Sequence, residues 1–266
     1  MFEAYRLPRD FMPFWHFGAR MGIGTVRRFL LRMRVRGFTN MLDAGTGGGA
    51  NVLLAGWSGF RVTACDLSHG ALQTLGQTAE RAQPVVRANG VQANSLRLPF
   101  RDAAFDVVIA SHIIEHLAEP GVLLYECARV LRTGGMLRVS CPSQWHAMRI
   151  GTWLGLRLDP DDHVVTGYEA DEIATLLPEN MHIRRVTYQG RVIESNVSDA
   201  QFFIARAMGM SGNPAVGDTK STPPAWLYWM KEAVLVPFLA LGKCEDAICF
   251  FMKGSMISIE VEKTRA

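Results

Sequence analysis

The sequence predicts an α/β fold, an open, doubly wound sheet, on three observations. Apolar strand-like runs alternate with helix-like stretches from about residue 38 to 140, and such alternation builds a parallel sheet with helices on both faces. Phe105 to Ala110 (FDVVIA) has no polar alternation after Asp106, as a central strand covered on both sides requires. The glycine cluster Gly45-Thr-Gly-Gly-Gly49 stands between the first strand-like run and the next helix, where such folds place a ligand.

The elements follow in order. Ile23, Val26, Leu30 and Met33 form an apolar stripe over residues 20–35, with Arg20, Arg27 and Arg34 on another face, so this is a helix ended by Gly37. FTNMLD is a short buried strand, and Asn51 to Ala55 open a second helix. Phe60 to Cys65 is a strand closed by Asp66; Ser68 is suited to cap a helix with Leu72, Leu75 and Ala79 at helical spacing. A strand near Val91–Ala93 leads to LRLPF. Pro120 begins a helix through Leu131 that Gly134-Gly135 breaks, and Leu137 to Ser140 is the next strand, stopped by Pro142. After the helix-like Glu169–Leu177, Ile183–Val192 and Met256–Glu262 read as strands.

Composition narrows the function classes. The 266 residues are 48% hydrophobic and 20% charged, with 25 glycines, a globular balance that excludes a disordered or collagen-like chain. Net charge is +3, too small to imply nucleic-acid binding by bulk electrostatics. It is uneven: residues 1–40 hold eight Arg against Glu3 and Asp10, a net of 8 − 2 = +6, leaving −3 for the remainder. Such a basic arm suits an anionic ligand, an anionic membrane surface or a solvated helix face. Five cysteines without a C-x-x-C pair read as small buried hydrophobes in a reducing, cytoplasmic setting. The start shows no signal-peptide core, and the apolar run Ala233–Gly242 is interrupted by Pro237 and too short to cross a bilayer.

The chemistry begins at Asp43-Ala-Gly45-Thr46-Gly47-Gly-Gly49. Without side chains, a strand-to-helix turn brings backbone and helix N-terminus close to a ligand. The same letters satisfy the loose dinucleotide pattern, Gly45-x-Gly47-x-x-Ala50 with Asp66 about 20 residues on, which leaves a nicotinamide-dependent oxidoreductase as the alternative. Asp43 before the first glycine would repel a pyrophosphate but suits a ligand bearing an ammonium. His112-Ile-Ile-Glu115-His116 spells an inverse zinc-protease signature, yet it follows a strand directly, whereas that signature needs a helix to align both histidines.

Five segments in order, LDAGTGGG, TACDLS, ANSLRLPF, FDVVIASHIIEHL and ARVLRTGGMLRVSCP, resemble the class I S-adenosylmethionine-dependent methyltransferases, in particular the small-molecule group of ubiquinone-biosynthesis type. The resemblance covers residues 38–190 and implies a seven-stranded, mostly parallel, Rossmann-like sheet of order 3-2-1-4-5-7-6 with its last strand antiparallel. It implies S-adenosylmethionine as cofactor, with Asp43 toward its amino group and Gly45, Thr46, Gly47 and Gly49 against its methionine half and ribose. Asp66 would accept from both ribose hydroxyls and Leu67 flank the adenine. Asn94 stands where the family usually has Asp, its amide oxygen still able to accept from the adenine amino group; Ser95 and Leu96 would reach the ring through their backbones, and Ser111 would wall the transferable methyl. In the ubiquinone-pathway relatives an E-x-x-E-H stretch binds a divalent cation; here His112 replaces the first Glu, a softer ligand, so no metal site is assigned, and a lone general base at His112 is the other reading.

His163 matches a histidine that faces the substrate cavity in these families, or else sits in a polar surface loop. Phe14-Trp-His-Phe17…Arg20 resembles an entry segment, with Arg20 pairing the cofactor carboxylate; a helix packed on the sheet is the alternative. The expected organisation is a basic helical cap at 1–37, the cofactor-binding core at 38–195, an apolar helical insertion at 196–254 and a final core strand at 255–266. Phe202, Phe203, Trp226, Trp229 and Phe238 in the insertion would line a pocket, touch a membrane, contact a second subunit or join the core. The expected function is methyl transfer to a small, apolar or lipid-linked metabolite, not to nucleic acid, since the Asn-Pro-Pro-Tyr signature of nucleic-acid amino-methyltransferases is absent after the fourth strand. A cofactor-binding partner subunit without turnover is the third possibility.

Overall fold

The computed structural model describes residues 17–145, 164–193, 195–197, 237, 241–242, 244–245, 248–249 and 252–265, with side chains in the first helix from Gly22 onward. The side chain of Arg20, His163, the aromatics expected to line the insertion and nearly all of residues 196–251 lie outside the described residues.

The element order is α1 (Phe17–Val35), β1 (Asn40–Ala44), α2 (Ala50–Trp57), β2 (Arg61–Asp66), α3 (His69–Arg81), β3 (Ala88–Gln92), β4 (Phe105–Ser111), a 3-10 turn (Ile114–His116), α4 (Pro120–Val130), β5 (Leu131–Pro142), α5 (Ala170–Leu176), β6 (Met181–Gln189) and β7 (Met256–Lys263). The strands form one sheet of order β3-β2-β1-β4-β5-β7-β6. β1 to β5 are parallel, and β7 runs antiparallel to both β5 and β6. This is the expected doubly wound sheet with a reversed last strand.

Successive residues of a strand point to opposite faces, so each strand feeds two cores. Leu42, Ala44, Val108, Ala110, Leu137 and Val139 pack on one side with Leu123 and Leu124 of α4 and Ile173 of α5. Met41, Val62, Val107, Ile109 and Met136 pack on the other with Leu53 of α2 and with Phe29, Leu30 and Met33 of α1. The C-terminal half of α1 is therefore part of the core. β4 is buried along its length except at Ser111, which is what its unbroken apolar run requires.

Three boundaries differ from the sequence reading. β3 ends at Gln92 instead of beginning near Val91, because its ladder pairs Ala88 to Gln92 with Val62 to Asp66. α4 stops at Val130 and β5 begins at once, running through Gly134-Gly135. A register shift opposite Phe105–Val107 absorbs the pair, and Gly134 takes the left-handed φ of 75° that the irregularity needs. β6 ends at Gln189 rather than Val192, where Gly190 turns the chain at φ 68°.

Two side chains tie the chain together around the start of β4. Asp106 Oδ2 accepts from the backbone N–H of Thr39 (2.7 Å) and Asn40 (2.9 Å), and its other oxygen pairs with Arg132. Burial raises its pKa, but those two N–H groups and Arg132 outweigh burial and hold it below the ordinary value. Arg129 donates to Glu126, to Asp102 and to the carbonyls of Phe100 (2.8 Å) and Leu98 (2.9 Å), while Glu126 accepts from Leu98 N–H at 2.7 Å. The loop between β3 and β4 is thus tied to α4. All five cysteines are unbridged, and no described helix is long and apolar enough to cross a membrane.

Candidate functional site

The carboxyl ends of β1, β2, β3 and β4 lie side by side, where an open parallel sheet places its ligands. Asp43, near the end of β1, is fully buried. Its carboxyl accepts from Thr46 Oγ1 at 2.7 Å and from Asn51 Nδ2 at 3.3 Å. Burial dominates nonetheless and, with some help from the charge of Asp66, raises its pKa to about 7. A carboxyl that costly to ionise beside an open turn is suited to a cationic partner.

The turn itself is shaped by glycines. Gly45, Gly47 and Gly49 have left-handed φ of 76°, 47° and 81°. A Cβ on Gly45 would lie 2.5 Å from Ile113 Cδ1, and one on Gly49 would lie 2.3 Å from Leu75 Cδ1. Nothing lies within 4 Å of a Cβ built on Gly47 or Gly48. The outer two glycines accept close packing from below, and the middle pair face open space, a cradle a ligand can enter.

Asp66 closes the second side. Its Oδ2 accepts from Gly47 N–H and its Oδ1 from Ser68 N–H, both at 2.8 Å, so it fixes the glycine turn to the start of α3. Leu67 next to it is 69% exposed, an apolar shelf awaiting cover. Asn94, expected to offer its amide oxygen outward, uses that oxygen to accept from Leu96 N–H at 2.9 Å. One lone pair of the oxygen remains for a ligand. Ser95 and Leu96 follow in the loop that Arg129 and Glu126 hold.

Beyond β4, Ser140 Oγ donates to Ser111 Oγ at 2.9 Å. His112 has a left-handed φ of 53°, unusual for a side-chain-bearing residue, and its N–H donates to the Ser140 carbonyl at 2.8 Å. Ile113 then covers Gly45, which brings the segment after β4 against the glycine turn. The structure therefore brings together Asp43, Thr46, Gly47, Asp66 and Ser68 in one hydrogen-bonded group, with Asn94 to Leu96 and Ser111 to Ile113 along its flanks. Among the described residues, no group of three or more His, Cys, Asp or Glu side chains converges as a metal site would need.

A model of a methyltransferase domain matches residues 42–139, from Leu42 of β1 to Val139 of β5. Over that segment, somewhat more than a third of its length, this chain is similar to a methyltransferase domain. The ubiquinone biosynthesis O-methyltransferase of Caulobacter vibrioides is 35% identical over 100 residues, 38% of this chain and 39% of that protein. The 2-methyl-6-phytyl-1,4-hydroquinone methyltransferase of Synechocystis is 34% identical over 103 residues, 38% of this chain and 31% of that one. This chain thus matches between about a third and two fifths of the length of such relatives. Among solved structures, the 4+2 cyclase SpnF aligns over 90% of this chain and 82% of its own, with a TM-score of 0.56 and 20% identity, and so shares the fold.

Asn51 is the site residue that sequence reasoning passed over; Ser68 was read only as a helix cap and Glu115 only as part of the H-x-x-E-H stretch. Asn51 and Ser68 carried a signal: each is polar, at the start of a helix that begins at a strand's carboxyl end. The burial of Glu115 had none, since Glu-His-Leu reads as an ordinary entry into a helix.

Proposed function

We propose that the chain binds S-adenosylmethionine and transfers its methyl group to a small, apolar acceptor. The observation that carries this reading is the Asp43–glycine turn–Asp66 group at the carboxyl ends of β1 and β2, with its open face over Gly47 and Gly48. When bound, the cofactor supplies a methyl group on a cationic sulfur, with the bonding electron pair leaving to sulfur. The protein's part is then to bind, orient and exclude water. Asp43 would take the ammonium, Asp66 the ribose hydroxyls, and Leu67 the adenine face, with Asn94 to Leu96 at its edge. Arg20 is proposed for the cofactor carboxylate. His112 and Ser111 are proposed to flank the place where the acceptor meets the methyl, and His163 to face the substrate.

The names of the Caulobacter and Synechocystis relatives, one from ubiquinone biosynthesis and one a phytyl-hydroquinone methyltransferase, support an apolar or lipid-linked acceptor. Residues 196–254, with Trp226 and Trp229, are proposed to select it, and the same segment is the place for a peripheral membrane or homodimer contact. A cytoplasmic location and an acceptor other than nucleic acid accord with this reading. The nicotinamide alternative would set a pyrophosphate beside the buried Asp43 carboxyl, an arrangement that repels. The shared fold of SpnF keeps a reaction other than methyl transfer as the second reading.

Two measurements test the proposal. Calorimetry should show binding of S-adenosylmethionine and none of a nicotinamide dinucleotide. Incubation of methyl-labelled cofactor with a panel of hydroquinones should give labelled, extractable product. Binding without transfer to any acceptor would leave a non-catalytic or cyclase-like role, and no binding would overturn the reading.

A further inference from the structure

Glu115 is a buried carboxyl that makes no hydrogen bond among the described residues. Its side chain is 1% exposed. Such a group is costly to bury unless something uses it. Its backbone is held firmly: it sits in the 3-10 turn Ile114–His116, and its carbonyl accepts from Val164 N–H (2.9 Å) and Val165 N–H (3.2 Å). His112 Nδ1 lies 3.3 Å from Oε1. That imidazole is 55% exposed, and its backbone is fixed at φ 53° by the bond to Ser140. One side of the ring therefore faces a rigid buried acceptor while the ring itself stands at the open end of β4. A small rotation of the exposed ring converts the approach into a hydrogen bond, as catalytic contacts commonly tighten on ligand binding.

We propose that Glu115 is a positioning residue that accepts from His112 Nδ1–H, so that Nε2 presents its lone pair outward as the base for the methyl acceptor. The strained backbone of His112 and the unpartnered carboxyl then have one explanation: both aim the ring. The second ring nitrogen of a histidine is set by the bond the first one makes. The acceptor class follows. A base at this place serves an acceptor that loses a proton on methylation, a hydroxyl, an amine or an acidic carbon, and the displaced proton passes to Nε2. An acceptor with no proton to lose, such as a tertiary amine or thioether, would have no use for it. The acceptor argument rests on the function proposed above; the tautomer argument does not.

The test is ¹⁵N NMR of histidine-labelled protein without cofactor, recorded above the ordinary imidazole range, with His112 assigned by the signal lost in His112→Gln. Neutral histidine in water favours the proton on Nε2. In the wild type the His112 proton should sit on Nδ1, and in Glu115→Met, which fills the space without an acceptor, it should return to Nε2. A wild-type ring protonated on Nε2 overturns the proposal even if the Met variant does not fold, and so does a folded Met variant that keeps the Nδ1 proton. In the transfer assay Glu115→Met should lower kcat on the order of a hundredfold, as loss of a working base does, with cofactor affinity held within threefold. An Nδ1 proton in a protein that transfers no methyl group would sink the proposed function and leave the positioning intact.

Discussion

Asp43 is held in a state that its ligand would relieve. Its folded pKa of about 7 lies above the ordinary 3.8, so the native state keeps a proton that the unfolded chain has lost. Stability therefore falls as pH rises from about 4 to 7 and levels off above, a loss of about 4 kcal/mol for a shift of this size. A bound ammonium needs the carboxylate, so binding must release that proton below pH 7. Cofactor affinity should rise about tenfold per pH unit between pH 5 and 7, and calorimetry in buffers of different ionisation heat should register the released proton. Asp43→Asn should abolish the rise; a flat wild-type profile would refute the assignment. Asp66 works differently, since its oxygens already hold Gly47 and Ser68. Asp66→Ala would remove the proposed ribose acceptor and slacken the turn together, and should weaken binding at least tenfold, about 1.4 kcal/mol. Wild-type affinity in the folded variant would remove Asp66 from the site.

The loop between β3 and β4 depends for its shape on α4. Arg129 reaches across to the Leu98 and Phe100 carbonyls, and Glu126 to Leu98 N–H, so the residues proposed to edge the adenine are set by a helix that never approaches it. Arg129→Met should keep the helix, since Met suits it as well as Arg, but free the loop. Hydrogen exchange at residues 95–104 should accelerate at least tenfold in the variant while α4 stays protected; equal protection of the loop would show that its own packing holds it. At this scale the sequence was uneven evidence. The strands and the glycine turn were legible because apolar periodicity and turn chemistry are local. The start of β5 was not: Gly134-Gly135 reads as a breaker, and only the register shift opposite Phe105 shows why a strand can pass through it. The anchoring of Glu115 was illegible for a related reason, since its backbone carbonyl is held by Val164 and Val165, far along the chain.

Across the whole molecule, strand order was legible because five motifs in sequence imply a known topology, whereas the polar seam binding α1 to the far half of the sheet was not, because its members are scattered. Arg138 in β5 lies opposite Glu260 in β7 and donates to Thr25 Oγ1 in α1 (3.0 Å) and Ser258 Oγ (2.9 Å). Burial lowers its pKa to about 10, with Glu260 opposing the fall, so it stays charged at neutral pH. Arg32 of α1 pairs with the same Glu260. Glu260→Gln would break the pair with Arg32 and remove the charge that opposes the fall in the Arg138 pKa, and should lower the urea midpoint; adding Arg138→Met should recover much of that. An unchanged midpoint in the single variant would mean that Arg32 and Arg138 were not relying on the carboxylate. The seam depends on β7, which occupies the slot between β5 and β6 although residues 190–255 intervene before it. A ribosome must therefore make the occupant of that slot after both its neighbours. For the roughly 3–13 seconds that the intervening stretch takes at ordinary elongation rates, the nascent chain carries β5 as a bare edge, with Leu137, Val139 and Cys141 open to any passing strand. Only when residues 256–263 emerge can the half-made sheet close, so this order of synthesis makes chaperone protection most valuable late.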